Sequence, residues 1–102
     1  MTISVSCLRT IGNILTGSDD QTQQAIEAGC LHAMNRLIIN QQKAVRKEVC
    51  WSVSNITAGN TAQVQLCLDV GIIDKLVNIL CHDDMDVKKE AVWALSNSTQ
   101  NA

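Results

Sequence analysis

The sequence has no proline, no phenylalanine and no tyrosine, and its only aromatics are Trp51 and Trp93 among 102 residues. No apolar run approaches the roughly 20 residues that a membrane span requires, and the amino terminus lacks the basic flank and long apolar stretch of a signal peptide. The expectation is therefore a soluble, intracellular chain without membrane contact. Charge of neither sign dominates: eight Lys and Arg against ten Asp and Glu give a net charge of −2. No basic cluster exceeds Arg46-Lys47 or Lys88-Lys89, so the electrostatic footprint of a nucleic-acid binder is missing. Five cysteines, Cys7, Cys30, Cys50, Cys67 and Cys81, are odd in number and contain no C-x-x-C pair. Neither a disulfide framework nor a zinc site follows, and the thiols read as fillers of apolar positions. Yet 46% of the chain is apolar, which argues against disorder. A core must then be built from Ile, Leu, Val, Ala, Met and Cys.

What is present in abundance is internal repetition. A shift of 42 residues places Trp51 on Trp93, Asn13 on Asn55, Asn55 on Asn97, Gly17 on Gly59, Gly29 on Gly71 and Lys47-Glu48 on Lys89-Glu90. Within one period the helix signals keep a fixed order. A short helix over about 20–28 is capped by Ser18 or Asp19 and closed by Gly29; a second covers about 31–40, and a third and longer one about 43–58. The next period repeats them at about 62–70, 73–81 and 85–99, and residues 3–16 read as a lone third-type helix. Three helices per period of this length are the signature of armadillo repeats, whereas HEAT units need two. The expected fold is all-α: an armadillo-repeat right-handed superhelical solenoid, a fragment of about two and a third repeats. Its units are the incomplete repeat 1–16 and the repeats 17–58 and 59–102. Each unit buries its faces against neighbours, so many small aliphatic contacts replace a few large aromatic ones. Ends without capping character would favour self-association.

The third helix carries an unexpected second stripe. At about 100° per residue, Val45, Val49, Val53 and Ile56 form the buried face, as do Val87, Ala91 and Leu95 one period later. Glu48, Trp51 and Asn55 fall on the other side, and Glu90, Trp93 and Asn97 repeat them. Core packing could reuse a tryptophan but gives no reason to keep a carboxylate three residues before it and an amide four after it. A carboxamide offers both donor and acceptor, so Asn13, Asn55 and Asn97 suit the backbone of an extended peptide. Trp faces accept an aliphatic stem and attract a cation, and Glu48 and Glu90 add negative charge. A lysine or arginine side chain fits that description. Arg9 takes the Trp position in the first unit, where it would salt-bridge a peptide carboxylate or hold Asp19 or Asp20.

At these residues the sequence resembles importin-α, the adaptor family that recognises nuclear localisation signals. The resemblance rests on Leu8-Arg9-Thr10-Ile11-Gly12-Asn13-Ile14-Leu15-Thr16-Gly17, Gln21-Thr22-Gln23, the run from Lys47 to Gly59 and the run from Lys89 to Asn97. Arg in place of the first Trp, followed by two Trp-bearing units, is similar to the family's sixth to eighth repeats, which carry its minor signal-binding site. The resemblance implies that Arg9, Asn13, Leu15, Gly17, Asp19, Thr22, Glu48, Trp51, Asn55, Glu90, Trp93 and Asn97 face a bound basic peptide, in a protein of cytoplasm and nucleus. It also implies that importin-β and the export factor engage only regions outside this chain. The family's usual proline at the start of the second helix is replaced by His32 and Asp74.

Other chemistries find little support. Cys30 with His32 and Cys81 with His82 lack an oxyanion element and an orienting third residue, so no enzyme is expected. The run Cys81-His82-Asp83-Asp84-Met85-Asp86 suits a solvated turn rather than a metal site, and no cofactor is implied. The glycosylation-type triplets at Asn55 and Asn97 fall on the repeated helical stripe and read as coincidence. The alternative function is an armadillo scaffold for another protein, such as an acidic or phosphorylated partner. Such scaffolds rely on rows of Lys and Arg, which this stripe does not offer.

Overall fold

The computed structural model describes residues 5–100, which form seven α-helices. They are α1 (Val5–Ile14), α2 (Asp19–Glu27), α3 (Cys30–Leu37), α4 (Lys43–Thr57), α5 (Thr61–Asp69), α6 (Ile72–His82) and α7 (Met85–Gln100). Boundaries expected from the sequence move by up to three residues, as frayed helix ends do; residues 3 and 4 of the first expected helix lie outside the described residues. None of these helices is long and apolar enough to cross a membrane.

Local chemistry explains the punctuation. Ser18, not Asp19, caps α2: its Oγ accepts from Gln21 N at 3.2 Å while Gln21 Oε1 accepts from Ser18 N at 3.0 Å. Asn60 and Gln63 build the same reciprocal box at the start of α5. Gly29 and Gly71 hold φ of 99° and 82° between the first and second helices of each unit. A side chain there would force the strained left-handed region, so glycine sets the bend.

The third helices α1, α4 and α7 pack side by side, with α4 in the middle, and α2, α3, α5 and α6 lie against them. The core is aliphatic, as the composition demands. Val45, Val49, Cys50, Val53 and Ile56 of α4 are buried with Leu8, Met34, Ile38, Leu76, Val87, Ala91 and Ala94. Leu95, expected in the buried stripe, is only half-buried. The expectation for the cysteines needs a larger correction. Cys50 and Cys67 are buried, and burial pushes both thiols up to about 12, but Cys7 and Cys81 are exposed because they fall on outward helix faces.

Polar side chains tie consecutive units together. Gln63 is fully buried; besides closing its cap, its Nε2 donates to Asp19 O at 3.2 Å. Asn35 Nδ2 donates to Val70 O at 2.9 Å, and Lys75 Nζ to Asn35 O at 2.8 Å. Arg46 donates through Nε and Nη2 to the two Asp83 carboxylate oxygens at 2.7 and 3.0 Å, and through Nη1 to Asn40 O and Gln41 O. One guanidinium thus pins the turn before α4 to the turn before α7.

Among the described residues two buried side-chain oxygens, Asn35 Oδ1 and Ser52 Oγ, have no hydrogen-bond partner. Ser52 is fully buried and its Oγ has no hydrogen-bond partner, while the matching position one period later is the equally buried Ala94. A buried hydroxyl without a partner costs about 1–3 kcal/mol. Ser52→Ala is therefore expected to raise stability by about 1 kcal/mol, read as a higher Tm in thermal denaturation; a lower Tm would show that the hydroxyl is bonded in solution.

Candidate functional site

The outward stripe of the three parallel helices forms a run of connected depressions. The first lies between α1 and α4, with Glu90 at its far side, and is lined by Arg9, Asn13, Lys47, Glu48, Trp51 and Glu90. The second lies between α4 and α7 and is lined by Trp51, Ser54, Glu90, Trp93 and Asn97. Trp51 and Glu90 border both, so the two are neighbouring slots of one groove.

The two tryptophans differ in how they are held. Trp93 is 63% exposed, whereas Trp51 is half-buried. Gly12 accounts for the difference on one side: a Cβ built there would fall 2.7 Å from Trp51 Cε3 and 2.8 Å from Ser52 Oγ. The six-membered ring of Trp51 rests directly on the α1 backbone. One period later the position of Gly12 is taken by Ser54, which lines the slot beside Trp93. Trp51 is thus both wall and filler.

The amides are fixed by the preceding helix. Asn55 Nδ2 donates to Gly12 O at 3.1 Å, and Asn97 Nδ2 donates to Ser54 O at 3.0 Å, each reaching back 43 positions. Both carbonyls lie in the last turn of a helix; Ser54 O accepts from Ala58 N and Thr57 Oγ1 as well. One N–H of each amide is therefore spent internally. For Asn55 the second N–H and Oδ1 remain, still one donor and one acceptor. The internal bond fixes the amide plane and so preorganises those remaining groups. Asn13 is exposed on the α1 face.

Arg9 departs furthest from expectation. It holds neither Asp19 nor Asp20; its Nη2 and Nε donate to Glu48 Oε1 at 2.6 and 3.2 Å. Glu48 is therefore not an open carboxylate, because the chain's own guanidinium occupies it. Glu90, its counterpart, makes no ion pair or side-chain hydrogen bond among the described residues.

The remaining expected residues scatter. Gly17 lines a separate depression with Asn13, Ile14 and Gln21 at the α1–α2 junction. Asp19 is exposed in the first turn of α2, where a carboxylate suits the helix N-terminus. Leu15 and Thr22 are corrected: their side chains are 2% and 3% exposed, and Thr22 Oγ1 donates to Leu15 O. They pack the α1–α2 corner and cannot form a groove wall. Lys47, Ser54 and Gly12 belong to the site and were not singled out from sequence. Lys47 stands one position before Glu48 and Gly12 one position before Asn13, so the repeated stripe itself was the available signal for both.

A model of the armadillo/beta-catenin-like repeat matches residues 18–58 and 60–97. The chain belongs to the armadillo-repeat family. Among characterised relatives it is similar to importin subunit alpha-1a of Oryza sativa subsp. japonica, 48% identical over 53 residues, which is 51% of this chain and 10% of that protein. Importin subunit alpha-3 of Arabidopsis thaliana is 48% identical over 50 residues, 48% of this chain and 9% of that protein. The chain thus spans about a tenth of the length of the importin subunits it matches. Among solved structures, a designed armadillo repeat protein in complex with the peptide (KR)4 superposes with a TM-score of 0.82 at 39% identity, covering 85% of this chain and 36% of that one. A second designed armadillo repeat protein gives a TM-score of 0.87 at 34% identity over 91% of this armadillo chain and 39% of its own.

Proposed function

We propose that this armadillo segment is a peptide-binding module of a nuclear import adaptor, taking extended Lys/Arg-rich localisation signals along the α1–α4–α7 face. The observation that carries the reading is the α4–α7 slot. Two indole walls, one carboxylate without an ionic partner and an amide held in place by Ser54 O surround a space that suits an aliphatic stem ending in a cation. The (KR)4 ligand of the designed relative and the importin-α similarity support the same chemistry. The role is recognition without catalysis. Residence in cytoplasm and nucleus, and association with importin-β and an export factor through other parts of a longer protein, belong to the same proposal.

An acidic or phosphorylated partner suits the face less well. Arg9 is already paired, and Lys47 stands beside Glu48, so the groove presents no row of open cations. Calorimetry with (KR)4 against an Asp/Glu peptide of equal length separates the two readings. Binding of the basic peptide alone, weakening as salt rises, is expected; binding of the acidic peptide alone, or of neither, would overturn the proposal.

A further inference from the structure

Resting on the basic-peptide reading, we propose that Arg9 is a specificity-determining residue: it fills the α1–α4 slot with a cation of the chain's own, so that the groove accepts one basic side chain at its acidic positions rather than two. The 42-residue register makes the two slots directly comparable. Arg9 stands to Glu48 as Trp51 stands to Glu90. In the first slot the acid is 13% exposed and held at 2.6 Å by Arg9; in the second the same acid faces a tryptophan and has no ionic partner among the described residues. The charges follow the geometry. The first slot carries Arg9 and Lys47 against Glu48 and Glu90, whereas the second carries Glu90 alone.

A peptide lysine entering the first slot exchanges one ion pair for another. Displaced Arg9, whose side chain is 63% exposed, stays nearby as a repelling charge, so the exchange yields little. Removing Arg9 leaves the Glu48 carboxylate without its ion pair, so the same lysine then gains a charge partner with no cation to displace. Arg9 therefore sets both the number and the register of cations read.

Calorimetry on the whole chain tests this with peptides bearing one lysine in a neutral extended background, and with pairs of lysines two, three or four residues apart. Helix spacing of about 8–10 Å against about 6.6–7 Å per two extended residues brackets those separations. For wild type the second lysine is expected to change affinity by less than about twofold at every spacing. For Arg9→Gln and Arg9→Trp one spacing is expected to gain about three- to tenfold. Adding Glu48→Gln to Arg9→Gln removes the acid and is expected to abolish that gain, which a merely structural role for Arg9 would not do. An equal gain from the second lysine in wild type and variants overturns the role of Arg9 while leaving the basic-peptide reading intact. Failure of every peptide to bind any of the proteins overturns that reading as well.

Discussion

Trp93→Ala is expected to weaken a Lys/Arg-rich peptide by about 1–2 kcal/mol, roughly five- to thirtyfold, without lowering the Tm of the protein. The exposure of this indole, at 63%, separates its binding role from folding. Trp51→Ala is expected to cost as much in affinity but also to lower stability, because its ring fills the space over Gly12. The double variant is expected to lose about 2–4 kcal/mol of binding, which takes a weak ligand beyond detection. Calorimetry alongside thermal denaturation distinguishes the terms. A folded double variant of unchanged affinity would mean that the peptide does not use the indole-walled slot.

Arg46→Ala is expected to destabilise the protein by about 2–3 kcal/mol at neutral pH, read by urea denaturation. Four charge-assisted hydrogen bonds end on this guanidinium, and Asp83, with 9% of its side chain exposed, keeps a carboxylate poorly solvated when they are gone. The hydrogen bond from Arg46 holds the Asp83 carboxyl below the usual carboxylate range. A depressed folded-state value stabilises above the unfolded value of about 3.9, and this contribution disappears as pH falls through the folded value. The wild type is therefore expected to lose stability on acidification below that region more steeply than Arg46→Ala. Parallel pH profiles would contradict the clamp. The clamp sits away from the indole slots, so peptide affinity at neutral pH is expected to survive in the folded fraction.

The period of 42 carried most of the architecture, because each helix start and stop recurs with its own chemistry: Ser18 and Asn60 as caps, Gly29 and Gly71 as left-handed bends. The apolar stripe on α4 was equally legible, since Val45, Val49, Val53 and Ile56 need only the pitch of a helix to share a face. What escaped was pairing across units. The Arg9–Glu48 bond spans 39 positions and Arg46–Asp83 spans 37, and helical periodicity within one segment says nothing of such partners. Leu15 and Thr22 show the limit of carrying residues over from a resemblance. Each sits within the matching strings, yet the α1–α2 corner buries both side chains. Trp51 was legible as a wall but not as a filler, because the filler role depends on Gly12 in the neighbouring helix.

With two tryptophans in the chain, a nitrogen-15 NMR spectrum carries two indole N–H signals, one from each wall of the α4–α7 slot. Titration of the whole chain with (KR)4 tests the central claim through them. Both indole signals are expected to shift in proportion, following one dissociation constant shared with the side-chain amide signals of Asn55 and Asn97. Saturating shifts elsewhere on the molecule while both indole signals stay fixed would place the peptide away from this groove and contradict the account.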